Sequence, residues 1–466
     1  MTDASPGPGR VGQLPLRWLV LAVVLIGNFA SGVVFTLLSV ARHDIAIDLG
    51  TTDSLVLWSF TAPSLAGAVC GPALGKLGDL IGHRRLYLIG LAGGLVTSVA
   101  VSLSWNVGSL IAFRAAGAAV TASLNPSSLA LIFQAFDRED RVRAMGYWSL
   151  VGAGSPVLGV LIGGPIVEAF GWRAMFVAQV PCYVFALSFA WRLLPETQRR
   201  AVEAFDWRGA VLLACATLGL LLGVNRGPAW GWTDTRVLVS FAVVPVAGWT
   251  FLSWQRRAPF PLIPLRIMGR RNVSFGIGAQ VLAQFAYTGA GIILANDLLV
   301  GRPGFGLSLA EAGRATIARP IVFALIAPLA GILAVKAGER FTATAGLAVL
   351  ALSMGMLALS PAGSSLIVLV VAIGVSGLGM GMASPSLSTS VANAVPEHRL
   401  GVIGAAQQLV VQSASVIGTQ VLVTVAHLGG GGQATVGGYR AAFVVALLTG
   451  VAAAITASGI RRAVRS

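Results

Sequence analysis

Few side chains in this 466-residue sequence can carry chemistry, and most of them stand between long apolar runs. The densest group is Gly75-Lys-Leu-Gly-Asp79-Leu-Ile-Gly82-His-Arg84-Arg85. Asp79 is placed there to pair with an arginine, Arg138 or Arg141, or to accept hydrogen bonds from a neighbouring helix N-terminus. The glycines let two helix ends approach closely and turn sharply. Such a contact can form and break as elements move; the plain alternative is an ordinary charged turn. A weaker copy, Gly331-Ile-Leu-Ala-Val-Lys-Ala-Gly338-Glu-Arg340, recurs later. Gly75, Leu77, Gly82 and Arg84 match Gly331, Leu333, Gly338 and Arg340 at identical offsets.

A second set consists of ionisable groups inside or at the ends of apolar runs. Arg114 and Arg319 lie within them. A buried arginine is expensive and is usually paired or facing water. Pro320 should kink its helix and free a carbonyl. Arg319 could satisfy that carbonyl, pair with Asp297 or attract an anionic group, and the ion pair is the favoured reading. His43 titrates near neutral pH and could exchange protons. Asp44, Asp297, Glu168 and Glu311 are carboxylates that could do the same, with Asp297 the deepest between its flanking apolar runs. For each, the plain reading is an interfacial charge.

Polar residues on early and late runs could line a cavity: Asn28, Ser31, Thr36, Asn125, Gln280, Gln284, Tyr287, Gln407, Gln408 and Gln412, with Trp58 and Phe285 as apolar walls. Gln280 and Gln284 are four apart, as are Gln408 and Gln412, so each pair shares a helix face. The same residues would also serve as polar glue between helices. His43, His83, His398 and His427 are scattered, and Cys70, Cys182 and Cys215 sit in apolar runs without ligand spacing. No metal site, catalytic cluster, phosphate-binding loop or cofactor is expected. The chain is not read as an enzyme.

The elements that hold these residues follow from composition. Apolar residues make up 56% of the chain and charged residues 11%, against about 25% charged in a soluble domain. Lipid must therefore be the solvent for much of the surface. A helix needs roughly 20 apolar residues to cross a bilayer. The runs 18–40, 54–74, 86–104, 108–132, 145–167, 174–194, 208–224, 237–254, 273–296, 313–335, 341–360, 364–386, 401–426 and 439–460 satisfy this, with 208–224 short and 364–386 broken by Gly and Ser. Fourteen spans put both ends on one side. Of 32 Lys and Arg residues, 23 fall on the side holding the termini, 7 on the other, and Arg114 and Arg319 within spans. The positive-inside rule makes the first side cytoplasmic. The net charge of +15 is thus a topology signal rather than a nucleic-acid surface.

Longer loops bracket the runs 208–224 and 237–254, so the chain parses as six helices, two helices, six helices. The expected units are tails 1–17 and 461–466, a six-helix bundle 18–200, an extra pair with its loops 201–256, and a second six-helix bundle 257–460. The two glycine-rich stretches fall at equivalent points of the two halves. Repeated halves with substrate bound between them are a common plan in secondary transporters.

The Gly75–Arg85 stretch resembles the signature loop of the major facilitator superfamily. Further resemblance to its 14-helix drug:proton antiporter branch comes from Trp58, from FGWRAMFVAQVP at 170–181, from FDWRGA at 205–210, from NRGPAWGW at 225–232, and from GLGMGMASPSLSTSVANAVPEHRLGVIGAAQQ at 377–408. It covers about residues 18–460. It implies an all-α polytopic fold of two six-helix bundles plus two inserted helices. It also implies proton-coupled export of lipophilic or amphipathic small molecules, multidrug or antibiotic efflux, from the plasma (inner) membrane, by a monomer. Gating would involve Gly75, Asp79, Gly82, Arg84, Arg85, Gly331, Gly338 and Arg340. Arg114 resembles the fourth-helix arginine linked to proton coupling. The fifth helix, with Pro156, Gly159, Val160, Gly163, Gly164 and Pro165, keeps a helix-packing role but departs from the branch's motif.

The first helix departs further. The branch carries an aspartate, an asparagine and a proline where this chain has Val34, Ser39 and His43. Coupling through the usual acid is therefore impossible, and Asp297, Asp44 and His43, with Arg114 and Arg319, become the candidates. A transporter of one lipid, peptide or metabolite, and a non-transporting sensor or scaffold, are the competing readings.

Overall fold

The computed structural model describes residues 14–51, 53–56, 58–196, 205–300, 304–307, 309–360, 365–396, 399–427 and 435–461. All regular structure among them is helical. The first part of the chain holds α1 (Leu14–Asp48), α2 (Asp53–Val56), α3 (Trp58–Ile81), α4 (His83–Ser102), α5 (Val107–Thr121), α6 (Leu124–Ala135), α7 (Arg138–Phe170), α8 (Arg173–Val177) and α9 (Gln179–Leu193). Then come α10 (Trp207–Trp230), α11 (Thr235–Arg257) and the single turn α12 (Leu265–Met268). The last part holds α13 (Arg271–Ala286), a π-helical segment (Tyr287–Leu294), α14 (Ala295–Val300), α15 (Leu309–Thr316), α16 (Ala318–Ala337), α17 (Glu339–Leu359), α18 (Leu366–Asn393), α19 (Leu400–His427) and α20 (Val436–Ser458).

Among the described residues, 11 helices are long and apolar enough to cross a membrane. The chain is a multi-pass membrane protein, and its outward-facing side chains show why: Leu359, Trp249, Ile367, Val246 and Ile455 are all largely exposed. In water such a surface would aggregate; in lipid it is solvated.

Small residues let the helices pack. One apolar core draws only on residues 279–460, and two others only on residues 20–194 and 45–176. A further cluster joins the two regions, placing Phe133 and Met145 against Val273, Ile277, Val391, Leu400 and Ile403.

The structure redraws several boundaries. Residues 75–81 are not a loop: they continue α3, and Gly82 alone breaks the helix before α4. Gly82 has φ 99° and ψ 133°, and Gly338, between α16 and α17, has φ 94° and ψ 147°. Each accepts from the amide four residues on, Leu86 and Thr342, and donates to the carbonyl four residues back, Gly78 and Ala334. Positive φ of this kind is open to glycine and strained for other residues. The sequence repeat is therefore a backbone repeat.

The weakest apolar runs form full helices. The run at 208–224 extends into the 24-residue α10, and the Gly/Ser-rich run at 364–386 lies, from Leu366 on, in the unbroken 28-residue α18. Gly377, Gly379 and Gly381 are buried against α16 and α17, so they are packing surfaces rather than breaks. The first helix continues to Asp48, so the backbone at residues 43 and 44 is helical. The π-helical segment within the run at 273–296 had no sequence signal.

Candidate functional site

A cavity of about 250 Å³ lies among α1, α3, α4, α5, α6, α8, α9 and α19. Its polar lining comes from Ser31, Ser64, Thr97, Ser98, Arg114, Thr121, Asn125, Gln179, Tyr183, Gln408 and Gln412. Phe113, Phe176, Val101 and Leu409 supply apolar walls. Early and late segments of the chain thus share one chamber.

Arg114 is held rather than loose. Its Nε donates to the Ser59 carbonyl oxygen at 2.7 Å, and its guanidinium lies 5.7 Å from the Phe176 ring centroid. Neither partner is charged. Ser98 donates to Gln179 Oε1 at 2.9 Å, which orients that amide. Ser98, Gln179 and Tyr183 were absent from the sequence-based cavity set. Gln179 could have been found as a lone amide in the apolar run FVAQVPCYV.

Of the cavity candidates, Asn125, Gln408, Gln412 and Ser31 line this chamber, whereas Asn28, Trp58, Gln280, Gln284 and Tyr287 do not. The Asn28 side-chain amide is buried without a described hydrogen bond, one turn from Ser31. Trp58 faces α10: the Arg226 guanidinium sits 3.8 Å from its ring centroid, and Trp230 stands 6.4 Å away. Gln280 accepts from Gln407 at 2.7 Å and donates to Ser388 at 3.3 Å, tying α13 to α19 and α18. Gln284 donates to Thr288 at 2.8 Å. Thr36 lies outside the side chains described.

Arg319 donates from Nη1 to the Gly291 carbonyl oxygen at 2.6 Å and lies 5.9 Å from the Tyr287 ring. Both partners belong to the π-helical segment. That segment shifts the register of backbone bonding, and the arginine satisfies one of its carbonyls. The side chains of Asp297, His43, Val34 and Ser39 lie outside those described, as do those of Arg138 and Gly159–Gly164. Asp44, Glu168 and Glu311 are exposed.

Asp79 is buried and is bonded to His83 Nε2 at 2.9 Å, one turn along across the Gly82 break. Arg141 is also buried, and it donates to the Phe136 and Phe133 carbonyls at 3.0 and 2.7 Å. Arg84 donates to Glu196 at 3.3 Å and to the Trp191 carbonyl at 2.6 Å; Arg85 reaches Glu196 at 4.0 Å. These contacts bind α4 to the end of α9. Arg340 is exposed.

At the same end of the molecule α7 crosses α16. A Cβ on Gly331 would stand 2.7 Å from the Val142 carbonyl oxygen, and one on Gly146 would stand 2.7 Å from that of Ala327. With only hydrogens at these positions, the two backbones meet. The Phe133–Ile403 cluster adds apolar contact between the early and late parts of the chain.

A family model described as the Major Facilitator Superfamily matches residues 24–419 and 277–465. The tetracenomycin C resistance and export protein of Streptomyces glaucescens is 31% identical over 430 residues, covering 90% of this chain and 79% of that protein. The methyl viologen resistance protein SmvA of Salmonella typhimurium is 29% identical over 348 residues, covering 74% of this chain and 69% of the relative. The structure of the proton:xylose symporter XylE superposes with a TM-score of 0.66 at 14% identity, covering 95% of each chain.

Proposed function

Because the chain belongs to the major facilitator superfamily, we propose that it is a secondary transporter that exports lipophilic or amphipathic small molecules by alternating access. The observation that carries this is the shared chamber, lined by residues from both 31–183 and 405–412; in this reading the backbone contact of α7 with α16 closes the Asp79 end. Where α7 and α16 meet at Gly146 and Gly331, the contact is made by backbone and glycine hydrogens and can part without breaking an ion pair. The relatives' names, resistance and export, support the direction of transport.

In this reading α3, α7 and the run from α13 to α14 join the 11 long apolar helices. That gives fourteen spans, arranged as six-helix bundles at 18–200 and 257–460 with α10 and α11 inserted between them. Both termini and the Asp79 end face the cytoplasm, where the positive-inside rule puts the arginine excess. The membrane is the plasma (inner) membrane, and one chain suffices, since the cavity is lined from within it. Protons drive the cycle through a group other than the first-helix acid. Asp297, Asp44 and His43 are the carriers to test, with Arg114 and Arg319 as the charges that set their affinity.

Reconstitution tests this. Purified protein in liposomes should move a lipophilic fluorescent compound faster when a pH gradient is imposed. Asp297→Asn should abolish the gradient dependence while compound binding persists. If it does not, Asp44 and His43 are next. If the parent protein ignores the gradient, proton antiport is wrong.

A further inference from the structure

We infer that the cavity selects neutral or anionic ring compounds and rejects cations, with Arg114 as the side chain that reads charge; this rests on the exporter reading above. Among the described lining residues, Arg114 is the one that carries a formal charge. Carboxylates are also scarce beyond the lining itself. Helices α4, α5, α6, α8, α9 and α19 contain no aspartate or glutamate at all. Those of α1 and α3 are Asp44, Asp48 and Asp79. Asp44 is exposed, Asp48 accepts from Trp172 and Arg173, and Asp79 is bonded to His83. No carboxylate of these helices lines the cavity.

Arg114 itself is fixed for the opposite task. Its bond to the Ser59 carbonyl uses Nε and sets the direction of the guanidinium. Its described partners, a carbonyl and an aromatic face, leave its charge uncompensated. In a chamber walled by Phe113 and Phe176, a second positive charge would be repelled with little screening, whereas a carboxylate, phenolate or sulfonate would complete the pair. The amides of Gln179 and Gln408 offer donors to ring oxygens. The volume, about 250 Å³, suits a compact fused-ring compound.

A matched trio of probes tests this: anthracene-9-carboxylate, 9-anthracenemethanol and (anthracen-9-ylmethyl)trimethylammonium. They share a ring and differ in charge. Binding to the purified full chain is read by probe anisotropy, and gradient-driven movement is read in liposomes. The carboxylate should bind at least tenfold more tightly than the ammonium, and Arg114→Gln should bring that ratio close to one, with Arg114→Lys retaining part of it. Equal binding of the two ions by the parent protein, or an unchanged ratio in Arg114→Gln, would overturn the inference. Should the Gln variant fail to fold by size exclusion, the parent ratio decides alone. Failure of the parent protein to move any of the three probes would count against the exporter reading, while the binding ratio would still judge the inference.

Discussion

Asp79 shows how a residue type can be legible while its partner is not. Its place between glycines pointed to a charge-assisted contact, but sequence distance favoured arginines after the fourth helix. The helix break at Gly82 brings His83, the first residue of α4, back onto Asp79 instead, at 2.9 Å. Removing the charge in Asp79→Asn weakens a buried hydrogen bond, a change of about 1–3 kcal/mol. It should shift spin-label distances across the Asp79 end toward the open form while the protein still purifies as a folded species; an unchanged distribution would refute a gating role. Gly82→Ala and Gly338→Ala force a side chain into φ near 99° and 94°. Each should lower stability by about 1–3 kcal/mol, read as a lower unfolding midpoint in detergent, and similar losses at both sites would mark them as equivalent. At the other end of α1, the Arg173 guanidinium bonded to Asp48, aided by the Trp172 indole, holds the Asp48 carboxyl below its usual range. A depressed folded-state pKa stabilises above the unfolded value, about 3.9, and that contribution is lost as pH falls through the folded value. Both partners are well exposed, so Asp48→Asn should destabilise by under ~1 kcal/mol at pH 7. The difference from the parent protein should vanish in strong acid and stay constant between pH 6 and 8.

At the scale of elements, hydropathy read the helices well because lipid imposes one structure on apolar runs. It failed where polarity and glycine have a structural use. The signature stretch looked like a turn because Lys76 and Asp79 are polar, yet both are buried on the last turns of α3. The π-helical segment was invisible because its sequence, YTGAGIIL, is as apolar as its neighbours. The α7–α16 crossing was half legible: Gly331 stood out, but Gly146, which meets Ala327 one turn along, did not. Gly331→Val should clash with the Val142 carbonyl and keep these helices apart. Cysteines placed at the crossing should then lose most of their cross-linking yield, and a retained yield would show that the crossing does not seal that end. The α10–α11 hairpin depends on a different device. Asp206 accepts from the Gly209 amide, Trp254 Nε1, Gln255 Nε2 and the Leu262 amide at 2.8, 2.8, 2.7 and 3.3 Å. It thus pins the 258–264 linker to α10 and α11. Asp206→Ala strands these donors and should destabilise by about 1–3 kcal/mol or more. Protease cleavage between 258 and 264 should rise with it; an unaltered cleavage rate would mean the linker is held by its apolar contacts alone.

For the whole molecule, the family and the helical architecture were legible because a few motifs and a long apolar pattern sufficed. The cavity was only partly so: Arg114, Asn125, Gln408 and Gln412 converge there, while Gln280 and Trp58 are spent on helix contacts. Spacing along one helix tells which residues share a face, not which neighbour that face meets. In the proposed function this chamber moves small lipophilic compounds between two alternately open sides. Its most direct test follows 9-anthracenemethanol in sealed liposomes holding the purified protein, with the pH gradient imposed first in one direction and then in the other. The account predicts protein-dependent movement that reverses with the gradient and stops when cysteines lock the α7–α16 crossing. Movement equal to that of protein-free liposomes in both directions would contradict it.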